Sequence, residues 1–305
     1  MRPVLFQIPF LHLPIFSYGV MLGLSLVVGW YIVLALCERD GMDREEMGRL
    51  YVWTAICSVA SARFLYIVTN WTHFAMNPLD VFKVWQGGLV AYGGFIGGLL
   101  TGIIYCRIHK IRLLAWADCV VPSLGTGLMF TRIGCLLFGC DFGKPSNVPW
   151  AIQFPVGSPA WKEQIADHLI KGSANQSLPV HPTQIYESLI GLTLFALTML
   201  VRRYRKFSGQ TFVAFAISYG ILRYFVETLR ADSQRGEVGP FSTSQFIGLV
   251  TSVLALGFLI YLWREYKRDP KALRYWELPA EPEVVAVAVA PAAAVVAKGK
   301  RRRRK

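Results

Sequence analysis

An arginine lies where the sequence predicts lipid. Arg132 follows an apolar, glycine-rich segment that begins at Gly125, and two cysteines, Cys135 and Cys140, come shortly after it. A guanidinium inside the hydrocarbon of a bilayer costs about 2.5–3.5 kcal/mol on insertion scales, so such a side chain usually faces a partner, a cavity or an anion. Arginine also suits the two-pronged recognition of phosphate. The segment therefore predicts an anion site, and we expect a phospholipid phosphate there.

A second arginine shares a helix face with other polar residues. Tyr219, Arg223 and Glu227 are spaced i, i+4 and i+8, so one helical face presents all three, and Arg230 continues that face. Arg223 and Glu227 could form a simple ion pair within the helix. Alternatively, Glu227 could hold the Arg223 guanidinium toward a substrate phosphate. The spacing leaves both interpretations open.

A third polar group stands at the start of another apolar span. His181, Gln184 and Glu187 fall on one stripe of the first helical turns, and Pro182 is compatible with a helix start. His181 could be a hydrogen-bonded structural residue or could take part in proton transfer. Arg63 is a further arginine in an apolar span. Any one of these arginines could instead be paired structurally with a carboxylate, namely that of Asp118, Glu187 or Glu227.

A second glycine-dense segment carries a tyrosine. Gly93, Gly94, Gly97 and Gly98 have the small-xxx-small spacing that permits close contacts between membrane helices. Packing alone explains these glycines. It does not explain Tyr92, whose hydroxyl group needs a hydrogen-bond partner if it is buried. Tyr92 is therefore a further candidate site residue.

These residues must be positioned by membrane helices. The chain has 305 residues, is 54% hydrophobic and has a mean hydropathy of +0.41. Its net charge of +13 does not indicate nucleic-acid binding, because the basic residues lie between apolar runs and in the tail. We predict an all-α, polytopic integral membrane protein with about seven transmembrane helices. The predicted spans are 18–36, 51–69, 88–106, 113–137, 184–201, 209–228 and 244–263.

The distribution of Lys and Arg predicts the orientation of the chain. The loops 37–50, 107–112 and 202–206 together hold ten basic residues. Short loops rich in Lys and Arg stay on the cytoplasmic side. We therefore predict the N-terminus outside and the C-terminus in the cytoplasm, and the connection 138–183 then forms an extracytoplasmic cap.

The two ends of the chain differ in composition from the predicted membrane domain, 18–263. Segment 1–17 is punctuated by prolines and predicts an interfacial N-terminal segment, with a plain disordered terminus as the alternative. Residues 264–305 include a low-complexity stretch and end in a basic cluster, which predicts a disordered cytoplasmic tail.

Six motifs, taken together, resemble those of the bacterial prolipoprotein diacylglyceryl transferase family. Each motif alone is weak, but six in the family's order over residues 16–263 are specific. They lie at 16–21, 62–66, 85–94, 132–143, 181–187 and 219–230.

The resemblance implies an enzyme of the bacterial inner membrane. It implies no nucleic-acid partner. Members of the family move the diacylglyceryl group of phosphatidylglycerol, a membrane lipid, to the cysteine thiol in the signal-peptide region of a prolipoprotein. They release glycerol phosphate and need no cofactor. A thiolate is the reactive form of the thiol, and nearby cations favour it. The departing phosphate needs its charge neutralised in a site of low dielectric. Two arginines meet both needs.

The resemblance also implies roles for individual residues. Arg132 matches an arginine that contacts the phosphatidylglycerol head group, and Arg223 matches one that is functionally important. We expect these residues to be catalytic: Arg132, Arg223, His181, Tyr92 and Glu227. We expect these residues to bind phosphatidylglycerol: Arg132, Tyr18, Arg223, Gly143, Arg63, Glu187 and Tyr219.

The sequence departs from the family at the proposed base. Many members carry a histidine where this chain has Tyr92, and a phenol holds its proton too tightly to be a good base at neutral pH. Either His181 takes the proton, or the arginines alone acidify the incoming thiol, or Tyr92 only positions the substrate.

A second departure follows Arg132. Cys135 stands where the family has an asparagine, and Cys140 stands where it has a glutamate, which Asp141 could replace one residue on. The two cysteines could form a disulfide or, with His181 and Asp141, a metal site. Their five-residue spacing fits no standard zinc pattern, so we expect no metal.

Two other functions stay open at this point. One is that of a divergent paralogue with another acceptor, and the other is that of a non-enzymatic anion or lipid carrier whose arginines line an anion path. A carrier would more naturally show repeated halves and broken spans. The order of the motifs and the cap favour the enzyme.

Overall fold

Seven long helices dominate the described part of the chain. The computed structural model describes residues 4–8, 13–82, 87–231 and 237–274. The long helices are α1 (Ser17–Arg39), α2 (Arg44–Thr69), α4 (Ala91–Ile108), α5 (Leu113–Phe138), α7 (Thr183–Tyr204), α8 (Gln210–Glu227) and α9 (Thr243–Arg268). The connections contain α3 (Trp71–Met76), a 3-10 helix (Pro78–Phe82) and α6 (Pro159–Ala166).

Most of the long helices suit a bilayer. Six of the described helices, all the long ones except α8, are long and apolar enough to cross a membrane. The protein is therefore a mostly helical, polytopic membrane protein, as predicted. α8 has 18 residues and carries Arg223 and Glu227. The count of seven spans and the orientation of the termini stay predictions.

Two small antiparallel hairpins refine the all-α expectation. The first lies within the predicted N-terminal segment, 1–17, and the second precedes α9. The pairs are β1 (Val4–Ile8) with β2 (Leu13–Phe16), and β3 (Glu237–Val238) with β4 (Phe241–Ser242).

Capping sets the start of two helices. α2 begins at Arg44, earlier than the predicted residue 51, because the Asp43 carboxylate accepts the Glu46 N–H at 2.7 Å. α9 begins with a capping box formed by Ser242 and Gln245.

The C-terminal helix is also longer than the predicted span. α9 runs to Arg268 and so includes the first residues of the segment 264–305, which the sequence assigned to the tail. The low-complexity remainder of the tail, 275–305, lies outside the described residues. So do residues 83–86, which contain the start of the glycine-dense motif.

α5 lies at the centre of the bundle, packed against α1, α7 and α8. Where α5 crosses α7, a Cβ on Gly125 would lie 2.9 Å from the Gly191 carbonyl oxygen, and one on Gly191 would lie 2.6 Å from the Met129 nitrogen. Between α2 and α4, a Cβ on Gly93 would lie 2.5 Å from the Ser61 carbonyl oxygen. These glycines therefore permit close contacts between the helices.

A buried ion-pair network joins α1, α5 and the end of α7. Asp40 lies 2.7 Å from both Arg202 and Arg205. The Asp118 carboxylate accepts two backbone N–H groups at the start of α8, at 2.8 and 2.9 Å, and lies 3.6 Å from Arg205. The sequence analysis placed both arginines in the loop 202–206, but in the structure their side chains are buried. Asp118 thus pairs with Arg205 and not with an arginine of the predicted site.

We expect Gly191→Ala to destabilise the protein, because the added methyl group would meet backbone atoms of α5. Overpacking of this kind costs about 1–3 kcal/mol. Thermal unfolding in detergent measures the effect. Gly127→Ala is the matched control, since a Cβ on Gly127, also in α5, meets no described heavy atom within 4 Å. Equal unfolding midpoints for the two variants would contradict the close crossing.

Candidate active site

Three arginines and three carboxylates meet at one end of α5, α7 and α8. They form a set of mutual ion pairs, called the charge cluster below, in which the formal charges cancel. Its members are Arg132, Arg223, Arg230, Asp141, Glu187 and Glu227. The sequence analysis named four of the six as site residues, and the structure brings those four together.

Glu187 lies at the centre of the charge cluster. Its Oε2 atom is 2.6 Å from Nε of Arg132, and its Oε1 atom is 2.8 Å from Nη1 of Arg223 and also contacts Arg230. The Glu187 side chain is 4% exposed. One buried carboxylate of α7 therefore connects α5, α8 and the segment after α8.

The other two carboxylates, those of Asp141 and Glu227, form the remaining ion pairs with the arginines. Oδ2 of Asp141 lies 2.8 Å from Nη1 of Arg132, and Oδ1 contacts Arg230. Oε2 of Glu227 lies 2.7 Å from Nη2 of Arg223, which is the intrahelical pair that the spacing allowed. A buried charge left without its partner costs several kcal/mol. Each member of the charge cluster therefore depends on the others.

Arg132 is the arginine of the cluster that is most open to a ligand. Its contacts in the described part of the chain use Nε and Nη1, so none of them occupies Nη2. Its side chain is 18% exposed, against 9% for Arg223 and 2% for Arg230. A planar guanidinium fixed by two of its nitrogens is suited to donate from the third to a phosphate oxygen.

The turn after α5 aims Asp141 into the charge cluster. Gly139 ends α5 with φ +90°, and Asp141 has φ +57°, so both adopt the left-handed conformation. The first turn of α7 holds this backbone in place. The Thr183 hydroxyl donates to the Asp141 carbonyl oxygen, and the Gln184 amide donates to the Cys140 carbonyl oxygen, each at 2.7 Å. These two bracing roles were not predicted from the sequence.

Gly143 joins this turn to the segment after α8. Its N–H donates to the His181 carbonyl oxygen at 3.0 Å, and it forms an antiparallel bridge with Arg230. A Cβ on Gly143 would lie 2.7 Å from that His181 oxygen and 2.9 Å from the Leu229 carbonyl oxygen. Gly143 therefore contributes through the close backbone packing that it permits.

Two of the predicted tyrosines border the charge cluster. Tyr18 is the second residue of α1 and lies beside α5. Its Cα atom is 3.2 Å from the position of a Cβ on Gly134, two residues after Arg132. Tyr219 lies one helical turn before Arg223 and within electrostatic range of both arginines. Both phenol groups are therefore within electrostatic range of the Arg132 guanidinium.

Tyr92 and His181 lie at the edge of the site. Tyr92 is the second residue of α4, is 42% exposed, and is within electrostatic range of Tyr219. Nδ1 of His181 lies 3.3 Å from the Tyr186 hydroxyl oxygen, which accepts a hydrogen bond from the Trp150 indole at 2.6 Å. The described contacts of these two side chains do not join them to the arginines of the cluster.

Arg63 is buried and holds a loop. The structure does not include it in the ion pairs described for the charge cluster. Its guanidinium donates at 2.6–3.2 Å to four backbone carbonyls before α4, those of Asp80, Val81, Gly87 and Gly88.

Two members of the charge cluster, Arg230 and Asp141, were noted in the sequence but not chosen as site residues. Arg230 follows Arg223 by seven residues, which is a helical repeat and the signal that could have identified it. The contact between Arg230 and Asp141 depends on the bridge at Gly143, which joins distant parts of the chain. Spacing along the sequence does not reveal such a bridge.

We expect Gly143→Ala to loosen the turn that carries Asp141, because its Cβ would press against two backbone carbonyl oxygens. The cost expected from overpacking is about 1–3 kcal/mol. Thermal unfolding measures it, and the rate at which a water-soluble maleimide labels Cys140 should rise. Gly172→Ala is the matched control, because a Cβ there meets no described heavy atom within 4 Å. Unchanged unfolding and labelling in Gly143→Ala would show that the bridge does not hold the turn.

The sequence matches known proteins over most of its length. The model of the family described as prolipoprotein diacylglyceryl transferase matches residues 3–261. Phosphatidylglycerol–prolipoprotein diacylglyceryl transferase 2 of Clostridium perfringens is 36% identical over 262 residues, which are 86% of this chain and 94% of that protein. Two proteins named phosphatidylglycerol–prolipoprotein diacylglyceryl transferase are each 32% identical. The match to the one from Clostridium tetani covers 84% of this chain and 96% of that protein. The match to the one from Listeria welshimeri covers 83% of this chain and 87% of that protein. The chain belongs to the prolipoprotein diacylglyceryl transferase family.

Proposed function

We propose that this chain transfers the diacylglyceryl group of phosphatidylglycerol to the cysteine thiol of a prolipoprotein. The product is a thioether, and glycerol phosphate leaves. The observation that carries the proposal is the Arg132 guanidinium, which Glu187 and Asp141 hold through Nε and Nη1 while Nη2 lies outside those ion pairs. The curated relatives are named for the same transfer.

The lipid phosphate is the group that we expect at Arg132. Arg132 and Arg223 both bind the Glu187 carboxylate, which holds two guanidiniums close together. Donors fixed in a site of low dielectric stabilise an anion without reorganising. A phosphodiester carries one negative charge and the departing phosphate monoester carries more, so these contacts strengthen as the bond breaks. Strengthening in the transition state is what accelerates a reaction.

The reaction exchanges a carbon–oxygen bond for a carbon–sulfur bond. The acceptor sulfur attacks the glycerol carbon of the diacylglyceryl group, and the electron pair of the broken C–O bond leaves with the phosphate. The thiol must lose its proton, because the thiolate is the nucleophile. The arginines therefore stabilise two negative charges, that of the incoming thiolate and that of the leaving phosphate.

The other predicted site residues would act around this pair. Tyr18 and Tyr219 would offer hydroxyl groups to the head group, since both border the charge cluster. Glu187 and Glu227 would hold the guanidiniums in position.

Two residues would act through the backbone. Gly143 permits the bridge that carries Asp141 toward Arg230. Arg63 would position the loop before α4, near Tyr92, because its guanidinium binds the carbonyls of that loop.

The charge cluster lies at the end of the bundle that carries the connection 138–183. Arg132 is in the last two turns of α5, and Glu187 is in the second turn of α7. We place this end at the outer leaflet of the bacterial inner membrane, with seven spans, the N-terminus outside and the C-terminus in the cytoplasm. The lipid would then enter sideways between helices, and the signal-peptide region of the prolipoprotein would approach beneath the cap.

A transfer assay tests the proposal. Purified protein in detergent is given phosphatidylglycerol and a peptide with a lipoprotein-type cysteine, and mass spectrometry should show a diacylglyceryl thioether. Arg132→Ala and Arg223→Ala should each lower the rate about 100-fold or more, the usual effect of removing one preorganised donor. Arg49→Ala is the control, because it removes an exposed arginine of α2 and should not change the rate.

Unfolding midpoints must show that each variant is folded. A lipid without a glycerol head group, phosphatidylcholine, serves as the donor control and should react poorly. If the folded wild-type protein did not modify the peptide, the transferase proposal would fail. The remaining candidates would then be a paralogue with another acceptor and a non-enzymatic carrier.

We expect neither Tyr92 nor His181 to be the general base, since both lie at the edge of the charge cluster. Removing a general base lowers a rate about 10²–10⁴-fold. In the same assay, Tyr92→Phe and His181→Ala should therefore each retain more than about a tenth of the wild-type rate. A loss of about 100-fold or more in folded His181→Ala would instead make the imidazole the base.

A further inference from the structure

Two thiols and one carboxylate converge at the end of α5. The sulfur atoms of Cys135 and Cys140 and a carboxylate oxygen of Asp141 lie within 4.8 Å of one another. Both cysteines are free thiols. Oδ2 of Asp141 is 3.2 Å from the Cys135 sulfur and 3.9 Å from the Cys140 sulfur. Their spacing in the sequence predicted no such group. It arises because the left-handed turn at Gly139 and Asp141 folds the chain back toward α5.

The separations fit a tetrahedral metal ion. Zinc binds thiolate sulfur at about 2.3 Å and carboxylate oxygen at about 2.0–2.2 Å, so neighbouring ligands of a tetrahedral site lie about 3.5–3.8 Å apart. The two sulfur–oxygen distances, 3.2 and 3.9 Å, lie on either side of that range. Small side-chain rotations would therefore suffice to bring the three atoms around one ion.

The surroundings orient these ligands. Arg132 and Arg230 each contact one oxygen of the Asp141 carboxylate. Thr183 and Gln184 hold the backbone carbonyls of residues 141 and 140. Groups that hold metal ligands in this way strongly affect metal affinity.

The carboxylates of the charge cluster already have partners. Those of Asp141, Glu187 and Glu227 are all in ion pairs with arginines, at 2.6–2.8 Å. The acceptor thiol must nevertheless lose its proton before it attacks.

We propose that Cys135, Cys140 and Asp141 bind a soft divalent metal ion of the Zn²⁺ type, with its fourth position open to the acceptor thiol. This inference rests on the proposed function. Thiolate ligands favour zinc over magnesium or calcium. Three protein ligands and one open position are the arrangement of catalytic zinc sites. The two thiolates also offset the charge that the ion brings to the cluster.

Such an ion, held by Cys135, Cys140 and Asp141, would supply the deprotonation step. It would favour the thiolate form of a thiol at the open position, and the proton would pass to water. The sulfur then attacks the glycerol carbon, the carbon–sulfur bond forms, and the carbon–oxygen bond breaks with its electron pair leaving on the phosphate at Arg132. The metal keeps its oxidation state. Thiolate and phosphate would meet next to each other, since Asp141 lies 2.8 Å from Arg132.

Metal content is the first test. Full-length protein is purified in detergent with a reductant that does not bind metals, exposed to Zn²⁺, desalted and analysed by mass spectrometry for zinc. We expect about one zinc ion per chain in the wild-type protein. Cys135→Ser/Cys140→Ser should retain less than about a tenth of that amount. Cys57→Ser, which removes a cysteine of α2, is the matched control and should bind zinc like the wild-type protein.

A spectroscopic test asks whether the fourth position takes a thiol. Co²⁺ replaces Zn²⁺ in the wild-type protein, and absorption bands from cobalt–thiolate bonds should appear. Adding the cysteine peptide should change these bands, whereas a peptide with serine in place of the cysteine should not. The single variant Cys140→Ala, if folded by its unfolding midpoint, should weaken the bands and so tests the site without loss of both thiols.

The outcomes separate the metal site from the proposed function. Reduced wild-type protein that binds no zinc, or a Cys135–Cys140 disulfide that persists in the reductant, would overturn the inference. So would full transfer activity in protein freed of metal by a chelator, which would leave the transferase standing. Zinc bound by these cysteines, with bands that respond to the peptide but with no transfer in any form, would instead refute the transferase and keep the metal site.

Discussion

The arrangement of the site depends on one carboxylate in a place of low dielectric. Glu187 contacts Arg132, Arg223 and Arg230, which come from three segments of the chain. Charged groups that are buried at the end of a membrane bundle are tolerated only when their partners are in place. The positions of α5, α7 and α8 at this end are therefore coupled, and the proposed anion site at Arg132 requires that all three are correctly assembled.

Backbone packing brings this carboxylate within reach. Gly191 lies one helical turn after Glu187 and contacts α5 directly, so the close crossing of α5 and α7 lies beside the ion pairs. Ser188 adds a hydrogen bond to the Met129 carbonyl oxygen at 3.2 Å. A larger residue at the crossing would separate the helices and lengthen the contact between Glu187 and Arg132. The glycines near the predicted site thus help to set the distance between the Glu187 carboxylate and the Arg132 guanidinium.

Helical period and charge were enough to predict the long helices and the four charged residues that the structure brings together. They did not predict the partners of Arg63, because these are four backbone carbonyls of a loop, which leave no trace in side-chain spacing. The bridge between Gly143 and Arg230 was also missed. It joins positions far apart in the sequence, and no local pattern encodes such a pairing. The nearness of Cys135 to Asp141 likewise depends on left-handed backbone at Asp141.

The opposite end of the bundle bears on the predicted orientation. Arg202 lies 15 residues after Glu187 in α7, a rise of about 22 Å. There Arg202 and Arg205 are paired with Asp40 in a buried network. An arginine that is neutralised by an internal partner contributes less to the charge bias of its loop than an exposed one. The cytoplasmic assignment of this end therefore depends more on the basic residues of the loops 37–50 and 107–112, where Arg39, Arg107 and Lys110 are exposed.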